Sequence, residues 1–549
     1  MREKIKVFLL YCISFLLFFL RFPLSGTLPG KTDCWWHLAT FSDFESRLWA
    51  YWYHLPVTTS YFPSKGLWLY GEPSFGVGLI YIVIHSILPN YIWSFYLLFV
   101  VLFSFTAFAF YLLTEQFVHA RLPRIVGGFF FTIANFSLGH LDHHNTFFWA
   151  LAFFSILFFY KYLTTRSNYN LYLMFVLWGL QIYFSTTIFV YLSIWIILLF
   201  LLYYKDWVGA KPWLHLILGG VICALLMFPL LRIYVFSSEI KSAYNPSLFA
   251  SGAVVSNLWP SDFLRFLPNN IFYPSESDID FDLLYNIKCA APGIILFLLF
   301  LAGFKQIPSK LLIVAVVGLI LALGSEVRIS SWSIPMPMKL YYANLPNLPF
   351  LRTPIRAYFL VHWMLCLGAV YGLNRFRGRL RISGILLITG LFFFENVPTK
   401  LPSADAAALV AESTHIAKYL SEGVPGSIVH LPSELFPKFP ISENPYKMNI
   451  IAREYFYSFV QTVYKRNTIN GSAGYIPRDR IEINKVLQLQ SSIDFKNLLQ
   501  QYDVKYVILH KDLMLKEESC VWDSIGKYSF LHLERKIDSC YIFSVDHSD

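Results

Sequence analysis

Long apolar runs separated by short polar connections fill the chain from Val7 to Phe394. A bilayer core of roughly 30 Å needs about 20 apolar residues in helical form, so runs close to that length predict membrane-spanning helices. Eleven runs approach it and predict a polytopic α-helical membrane protein with about 11 transmembrane helices. They are Val7–Phe22, Ile92–Leu113, Ile125–Ser137, Phe147–Tyr162, Tyr169–Ser185, Thr187–Tyr204, Leu214–Leu231, Pro292–Phe304, Lys310–Leu323, Arg356–Leu373 and Ile382–Phe394.

A further apolar run, Ser74–Leu88, decides the topology. As a helix it reaches only about 22 Å, which is too short for the bilayer core. If it lies along the outer side of the membrane or is only half inserted there, the loops rich in Lys and Arg fall on the side of Arg2, Lys4 and Lys6, as the positive-inside rule requires. The sequence therefore predicts a cytoplasmic N-terminus and an extracytoplasmic C-terminus. The predicted outer loops are residues 26–91, 232–290 and 324–354.

The tail, residues 395–549, reads as a water-exposed domain. It mixes strand-like runs, Ser427–Leu431 and Val504–Leu509, with a charge-bearing helical stretch, Ala404–Leu420. Its roughly 150 residues suffice for a small α/β domain. The chain therefore divides into a transmembrane domain, residues 1–394, and an extracytoplasmic C-terminal α/β domain.

The composition is that of a membrane protein. The 549 residues are 56% hydrophobic and 14% charged, which excludes an ordinary soluble enzyme. The formal net charge of +10 comes from scattered Lys and Arg, so it marks topology and not a nucleic-acid partner. The N-terminal run lacks a small-x-small cleavage site and is expected to remain as an anchor. Cys520 and Cys540 share the tail and form a disulfide only if it faces an oxidising compartment, which their spacing does not decide.

The first polar loop carries the leading catalytic candidates. Asp33 lies about ten residues past the first apolar run, near the membrane surface, where a carboxylate meets the head group of a lipid-borne substrate. The alternative is that Asp33 caps a short interfacial helix, since aspartate is a favoured N-cap residue. Glu72 precedes the run that lies along the membrane. It can act with Asp33 as a carboxylate pair, or stabilise the positive end of that helix.

A second candidate site is the polar turn Gly139–Asn145, which carries His140, Asp142 and His144. Ionisable residues at the mouth of membrane helices are costly unless satisfied, so they indicate function. Imidazole and carboxylate groups together can bind a divalent metal, Mg²⁺ or Mn²⁺. The spacing matches no known ligand motif, so contact with a polar substrate and a plain polar cap remain alternatives.

A third candidate site consists of Arg352 and Arg356. They flank Pro354 at the predicted outer start of a membrane helix, where positive charge runs against the topology rule. The planar guanidinium group and a helix N-terminus both favour phosphate, so a lipid phosphate or pyrophosphate is the expected partner. The alternatives are an ion pair with Asp33 or Glu72, or an ordinary phospholipid.

A series of short motifs along nearly the whole chain is similar to that of integral membrane glycosyltransferases of the GT-C type, found mainly in bacteria. Asp33 resembles the Gly-Asp start of that family's first outer loop, with Thr32 at the usual glycine position. The order and spacing of the motifs carry the resemblance. The other matching motifs are Tyr61-Phe62-Pro63, Glu72, Gly139-His140-Leu141, Arg352-Thr353-Pro354-Ile355-Arg356, Asn470-Gly471-Ser472-Ala473-Gly474-Tyr475-Ile476-Pro477 and Val504–His510.

The resemblance implies a GT-C-like enzyme that moves a hexose or pentose from a polyprenyl phosphate or pyrophosphate to a glycan, lipid or protein acceptor outside the cytoplasm. It implies that Asp33 deprotonates the acceptor hydroxyl in an inverting displacement, and that Glu72 either assists it or orients the acceptor. Arg352 and Arg356 would then hold the departing phosphate. The residues expected to line the donor head group, or to hold an ion in a metal-dependent variant, are His140, Asp142 and His144.

Two other functions fit the sequence. A transporter or flippase of lipid-linked sugars would explain the basic sites, but transporters place ionisable residues at the bilayer midplane and show repeats. A non-catalytic scaffold for surface-polysaccharide assembly would use the tail as a binding module. No P-loop, nucleophile elbow or H-E-x-x-H motif is present, which argues against an ATPase, an α/β-hydrolase or a zincin. The expected location is the bacterial inner membrane.

Overall fold

The structure is a computed structural model that describes residues 1–30, 33–53, 74–208, 213–236, 258–267, 288–329, 332–344, 353–376, 381–399, 401–433, 446–470, 483, 486–487, 491–514 and 519–547. It is mostly helical, and each of the eleven predicted apolar runs is helical over most of its length. The described α-helices before the tail are α1 Arg2–Phe19, α2 Arg21–Ser25, α3 Asp33–Tyr53, α4 Phe75–Ile87, α5 Tyr91–Thr114, α6 Arg121–Ile133, α7 Asn135–Gly139, α8 Ala150–Thr165, α9 Asn168–Phe184, α10 Thr186–Leu202, α11 Tyr204–Val208, α12 Trp213–Phe236, α13 Ile294–Gly303, α14 Ser309–Ala322, α15 Pro337–Asn344, α16 Tyr358–Asn374 and α17 Arg381–Asn396.

The tail adds the helices α18 Ala407–Glu422, α19 Tyr446–Tyr464, α20 Ser492–Gln501 and α21 Ser519–Ile525. The described strands are β1 Thr27–Pro29, β2 Glu326–Ile329, β3 Trp332–Pro335, β4 Ser403–Asp405, β5 Ser427–Leu431, β6 Val504–His510, β7 Leu531–Ile537 and β8 Cys540–Val545. β2 and β3 form an antiparallel hairpin.

Four described helical segments are long and apolar enough to cross a membrane: Arg2–Ser25, Tyr91–Thr114, Trp213–Arg232 and Pro354–Asn374. Six others are apolar but shorter, so the count of eleven spans stays a prediction. For one predicted span, the structure shows why the helix is short. The run Ile125–Ser137 is interrupted at Ala134, whose backbone is extended, and α7 then leads into the polar turn.

The membrane-type helices pack through aromatic rings and close glycine contacts. Phe19 and Phe147 each approach Phe103, with ring centroids 4.8 Å apart. Gly368 and Gly372 lie one turn apart on α16, and a Cβ on Gly372 would stand 2.2 Å from the carbonyl oxygen of Leu299 on α13. This small-xxx-small pattern brings two helix backbones into direct contact, as it does between membrane helices generally.

One end of the helix bundle carries a network of ion pairs. Glu115 lies 2.7 Å from Lys4 and 3.1 Å from Arg124, and Arg121 pairs with Glu3. The basic N-terminus and the first basic loop therefore lie on the same side of the bundle. This is the arrangement on which the topology prediction depends.

The opposite end joins the first polar loop to the tail. β1 pairs antiparallel with β4, with Leu28 opposite Ala404. The side chain of Asn135 also joins distant segments there, because its amide donates to the carbonyl oxygens of Arg265 and Cys289. The first loop, the polar turn, part of the segment 232–290 and the start of the tail thus meet at one end.

The tail contains a four-stranded sheet of order β5-β6-β8-β7, in which β5 and β6 are parallel and the other pairs antiparallel. Alternate side chains face opposite layers, as strand geometry requires. The residues that pack with the helical domain, α18 and α19 include Ile428, Tyr506, Ile508, Cys540 and Ile542. Those that pack with α20 and α21 include Val429, Leu431, Val507, Leu509 and Phe543. Cys540 is a free thiol, and the side chain of Cys520 lies outside the described residues.

Candidate functional site

The site is built where α3 begins. Asp33 is the first helical residue, so its carboxylate lies at the positive end of the helix dipole. The chain reaches this position through Gly30, whose φ of 88° lies in the left-handed region. A Cβ at Gly30 would stand 2.7 Å from Oδ1 of Asp142. Glycine is therefore needed here for the first loop to approach the polar turn.

Asp33 meets that turn directly. Its Oδ2 lies 3.4 Å from Nε2 of His143, and the side chains are 18% and 14% exposed, respectively. Asp142 is buried nearby. Burial, together with the charges of Asp142 and Asp33, raises the pKa of the Cys34 thiol well above its usual value. The two carboxylates thus lie around one cysteine, and Asp33 is the one that stays open to solvent.

A group of buried histidines adjoins the two acids. The rings of His37 and His144 meet edge to face with centroids 3.6 Å apart, and His37 hydrogen-bonds the backbone of Asp142. Nδ1 of His140 donates to the carbonyl oxygen of Phe136 at 2.9 Å. The three imidazoles are buried. Each can therefore act as a neutral donor or acceptor inside the site.

Burial, with a smaller contribution from the positive charge of Arg356, lowers the pKa of His37 and of His140 to about 3. Burial also lowers the pKa of His144 well below its usual value, with a contribution from His37. These histidines are therefore uncharged at neutral pH. The charge of Arg356 acts on two of them, so its guanidinium lies near this group.

Several of these ring nitrogens lack a hydrogen-bond partner among the residues that the structure describes. They are Nε2 of His37, Nε2 of His140 and both nitrogens of His144. An unsatisfied buried polar group costs about 1–3 kcal/mol, so native proteins retain few of them without a purpose. A bound molecule with hydroxyl or phosphate groups would satisfy them.

Arg356 lies on the 3₁₀ turn Pro354–Ala357 that leads into α16. Its guanidinium is buried and donates from Nη1 to Oγ1 of Thr187 at 3.3 Å. Thr187 is in the first turn of α10, so the N-termini of two helices converge with a buried arginine. Such a place attracts an anion.

Five of the predicted site residues are therefore gathered in one region: Asp33, His140, Asp142, His144 and Arg356. Glu72 and Arg352 lie outside the described residues, as does the Tyr61-Phe62-Pro63 motif. His37 and His143 also belong to this region but were not among the predicted site residues. His37 lies four residues after Asp33, a spacing that places both side chains on one face of a helix. His143 belongs to the same turn as the residues that were selected.

The polar turn does not assemble a metal site from described residues. Within the described chain, the group of three ligating side chains whose donor atoms lie within 4.8 Å of one another is Glu412, His510 and Cys540, in the tail. A Mg²⁺ or Mn²⁺ ion at His140 and Asp142 stays a prediction. The open imidazole nitrogens fit contact with a polar substrate.

The fold is shared with a known glycosyltransferase. Arabinofuranosyltransferase AftD from Mycobacteria superposes over 95% of this chain with a TM-score of 0.53 at 13% identity, and the match covers 40% of AftD. This chain thus corresponds to two fifths of AftD. The likeness confirms the GT-C-type fold that the sequence motifs predict.

Two weaker similarities accompany it. The Archaeoglobus fulgidus oligosaccharyltransferase, solved with Zn and sulfate, matches 94% of this chain and 69% of its own at 11% identity, with a TM-score of 0.45. ArnT from Cupriavidus metallidurans, solved with undecaprenyl phosphate, matches 98% of this chain and 97% of its own at 10% identity, with a TM-score of 0.41. No protein-family model matches this sequence, and no curated protein sequence matches it.

Proposed function

We propose that this chain is a membrane glycosyltransferase that moves a sugar from a polyprenyl phosphate or pyrophosphate to an acceptor hydroxyl on the extracytoplasmic side of the membrane. The observation that carries the proposal is the contact of Asp33 with His143, 3.4 Å apart and partly open to solvent. The GT-C fold shared with AftD supports it.

Asp33 acts as the general base. Its carboxylate takes the proton of the acceptor hydroxyl while the oxygen attacks the anomeric carbon of the donor. The bond between that carbon and the phosphate oxygen breaks, and its electron pair leaves with the lipid phosphate. Attack from the face opposite the leaving group inverts the anomeric centre. His143 holds Asp33 in position, and Glu72 assists from the same loop.

Arg356 stabilises the leaving group. Negative charge grows on the phosphate as the glycosidic bond breaks, and a buried guanidinium beside two helix N-termini stabilises that charge without rearrangement. Arg352, four residues earlier, would contribute a second positive charge. The phosphate of the donor is already charged before the bond breaks, so the same guanidinium also binds the donor.

The buried histidines bind the polar head group. His37, His140 and His144 are neutral. Nδ1 of His140 and the bonded nitrogen of His37 carry the ring proton, so the open Nε2 atoms of these two residues can accept hydrogen bonds from sugar hydroxyls. Both nitrogens of His144 are open, so this ring can also donate one hydrogen bond to a phosphate oxygen. Asp142 contributes at the edge of the group, where His37 bonds its backbone. Because these side chains are rigidly buried, they orient the donor without a large entropy cost.

The test is turnover of polyprenyl-phosphate sugars, hexosyl and pentosyl, by membranes that carry the wild-type chain or Asp33→Asn. Loss of a general base lowers the rate by about 10²–10⁴-fold. Asp206→Asn is the matched control. Asp206 is exposed and pairs with Lys310. It lies just after the C-terminus of α10, whereas Thr187 of the site lies at the N-terminus of the same helix. It should keep full turnover at equal expression.

The outcomes separate the candidate functions. Turnover that needs Asp33 supports the transferase. Equal turnover by the wild-type chain and by Asp33→Asn would show that Asp33 is not the base. A lipid-linked sugar that binds and crosses the membrane without being consumed would instead identify a transporter. Binding of a polysaccharide by the tail, with no effect of Asp33→Asn on any assay, would identify a scaffold.

A further inference from the structure

A second polar cluster, which shares no residue with the proposed transferase site, is buried in the tail. His510 ends β6 and stands directly opposite Cys540, the first residue of β8. Glu412 reaches them from α18, which packs over this face of the sheet. All three side chains are buried. Helix and sheet therefore meet through an acid, an imidazole and a thiol in an otherwise apolar layer.

The three groups lie close enough together to bind one metal ion. Sγ of Cys540 lies 3.0 Å from Nδ1 of His510, and the donor atoms of all three residues lie within 4.8 Å of one another. Around a tetrahedral Zn²⁺ a thiolate sulfur and an imidazole nitrogen are about 3.6 Å apart. A shift of roughly half an ångström, well within side-chain motion, would admit the ion.

Neighbouring residues hold the ligands in place. The backbone N–H and the hydroxyl of Ser539 both donate to Oε1 of Glu412, at 3.0 and 2.7 Å. Nε2 of His510 lies 2.9 Å from Nδ1 of His430. Since Nε2 is engaged by His430, Nδ1 is the nitrogen left to face Cys540. An outer hydrogen bond on the second ring nitrogen is what metal-bound histidines usually have.

His430 is itself fixed. The side-chain amide of Asn470 bonds both its backbone N–H, at 2.5 Å, and its carbonyl oxygen, at 3.0 Å. The ring of His430 also stacks on Tyr457 of α19, with centroids 4.8 Å apart. This gives Asn470, which begins one of the motifs noted in the sequence, a structural part in the cluster. Residues of β5, β6 and α19 together thus hold the imidazole of His510 in place.

The charge of the cluster suits a divalent cation better than the single proton of the thiol. A thiolate, a carboxylate and a neutral imidazole carry two negative charges, which a divalent cation cancels inside a buried layer. Sulfur, nitrogen and oxygen donors together suit Zn²⁺, whereas Mg²⁺ and Ca²⁺ prefer oxygen alone. Three protein ligands leave a fourth position for water or for the second carboxylate oxygen of Glu412. Binding releases the thiol proton to solvent.

We propose that Glu412, His510 and Cys540 bind one Zn²⁺ ion that fastens α18 to the sheet of the tail. The ion has a structural role. It stabilises the layer of α18 and α19, and α19 packs on α3, where Asp33 lies. The site therefore supports the position of the tail over the first loop without taking part in the sugar chemistry.

The test uses the full-length chain in detergent, purified with a tag that contains no histidine. Metal analysis after growth with zinc should give about one Zn²⁺ per chain, and Cys540→Ser and Glu412→Gln should each lose it. Cys366→Ser is the matched control. Cys366 is also buried beside a histidine, with Sγ 3.8 Å from Nε2 of His362, but no carboxylate completes that pair among the described residues. It should keep its zinc.

A second measurement avoids dependence on the variants' folding. Wild-type protein stripped with a chelator is titrated with Co²⁺, and a thiolate-to-cobalt charge-transfer band should appear and saturate at one equivalent. The chelated protein should also unfold at a lower temperature than the zinc-loaded protein. Wild-type protein that takes up neither metal, or zinc that remains in Cys540→Ser, would overturn the proposal.

Discussion

The indole ring of Trp35 packs edge-on against Phe456 with ring centroids 5.1 Å apart. Trp35 lies two residues after Asp33 on α3, and Phe456 lies on α19 of the tail, so this contact joins the candidate base to the C-terminal domain. Trp36 meets Tyr455 beside it, at 5.8 Å. The tail is therefore part of the support for the site, and not an appendage.

Trp35→Ala should loosen the tail. Removal of a buried tryptophan costs about 3–5 kcal/mol, and the lost ring pair lies at the contact between the domains. We expect a lower unfolding temperature and faster protease cleavage in residues 395–549. Trp213→Ala is the control, since Trp213 is half exposed on α12. Equal cleavage of both variants would contradict a supporting role for Trp35.

Replacement of His143 tests whether it positions Asp33. His143→Gln keeps a donor near the carboxylate but alters its reach and removes the imidazole. Loss of a hydrogen bond to a charged group is worth about 1.5–3 kcal/mol, or roughly 10- to 100-fold in kcat. The loss should be smaller than that of Asp33→Asn and should fall on kcat more than on KM.

The control for this variant is His119→Gln, at an exposed histidine in the loop that precedes α6. It should leave both kinetic constants unchanged. A His143→Gln enzyme with the wild-type kcat would mean that the 3.4 Å contact with Asp33 has no part in catalysis.

The sequence predicted the helices well because burial in lipid or protein leaves a continuous apolar run. Within the described chain, all eleven runs became helices, and Ile92–Leu113 matches α5 to within one residue at each end. Span lengths were harder to predict, since a break such as the extended backbone at Ala134 interrupts a run at a place that hydropathy does not mark.

The candidate site was predicted in part, and for a physical reason. Asp33 was selected for its place in the first polar loop near the membrane surface. Asp142 was selected because ionisable residues at the mouth of membrane helices are costly, and Arg356 because positive charge there runs against the topology rule. His37 was not selected, because its role depends on the ring of His144, more than a hundred residues later. The triad of Glu412, His510 and Cys540 is likewise brought together by strand pairing and by α18. These residues are far apart in the sequence, so no local spacing indicates a ligand motif.

Arg356→Ala should weaken binding of the lipid-linked donor. A guanidinium that pairs with phosphate contributes about 1.5–3 kcal/mol, so KM for the donor should rise roughly 10- to 100-fold, with KM for the acceptor little changed. Arg356→Lys should recover part of the loss, because lysine keeps the charge but not the planar fork. Kinetics with varied donor measure both effects.

Arg124→Ala is the matched control for Arg356. Arg124 is also buried, but it pairs with Glu115 at the opposite end of the bundle. Its loss should lower the unfolding temperature without a change in donor KM. If both variants raised donor KM equally, the effect would be one of general stability and not of phosphate binding.

The buried histidines make stability depend on pH. His37 and His140 have folded-state pKa values of about 3, whereas an unfolded histidine titrates near 6.5. Between these values the unfolded chain binds protons that the folded chain does not, so acid favours unfolding. The stability is fully present above about pH 6.5 and is lost as pH falls towards 3, by about 1.4 kcal/mol per pH unit for each histidine.

Thermal unfolding of the detergent-solubilised chain at pH 7.5 and at pH 5 measures this effect. The wild-type midpoint should be clearly lower at pH 5. His140→Gln removes one of the two groups and should narrow the difference, even if it lowers both midpoints. A difference as wide in His140→Gln as in the wild type would show that His140 takes up a proton as readily in the folded chain as in the unfolded chain, and so is not held in the neutral form by burial. The neutral role given to it in donor binding would then be wrong.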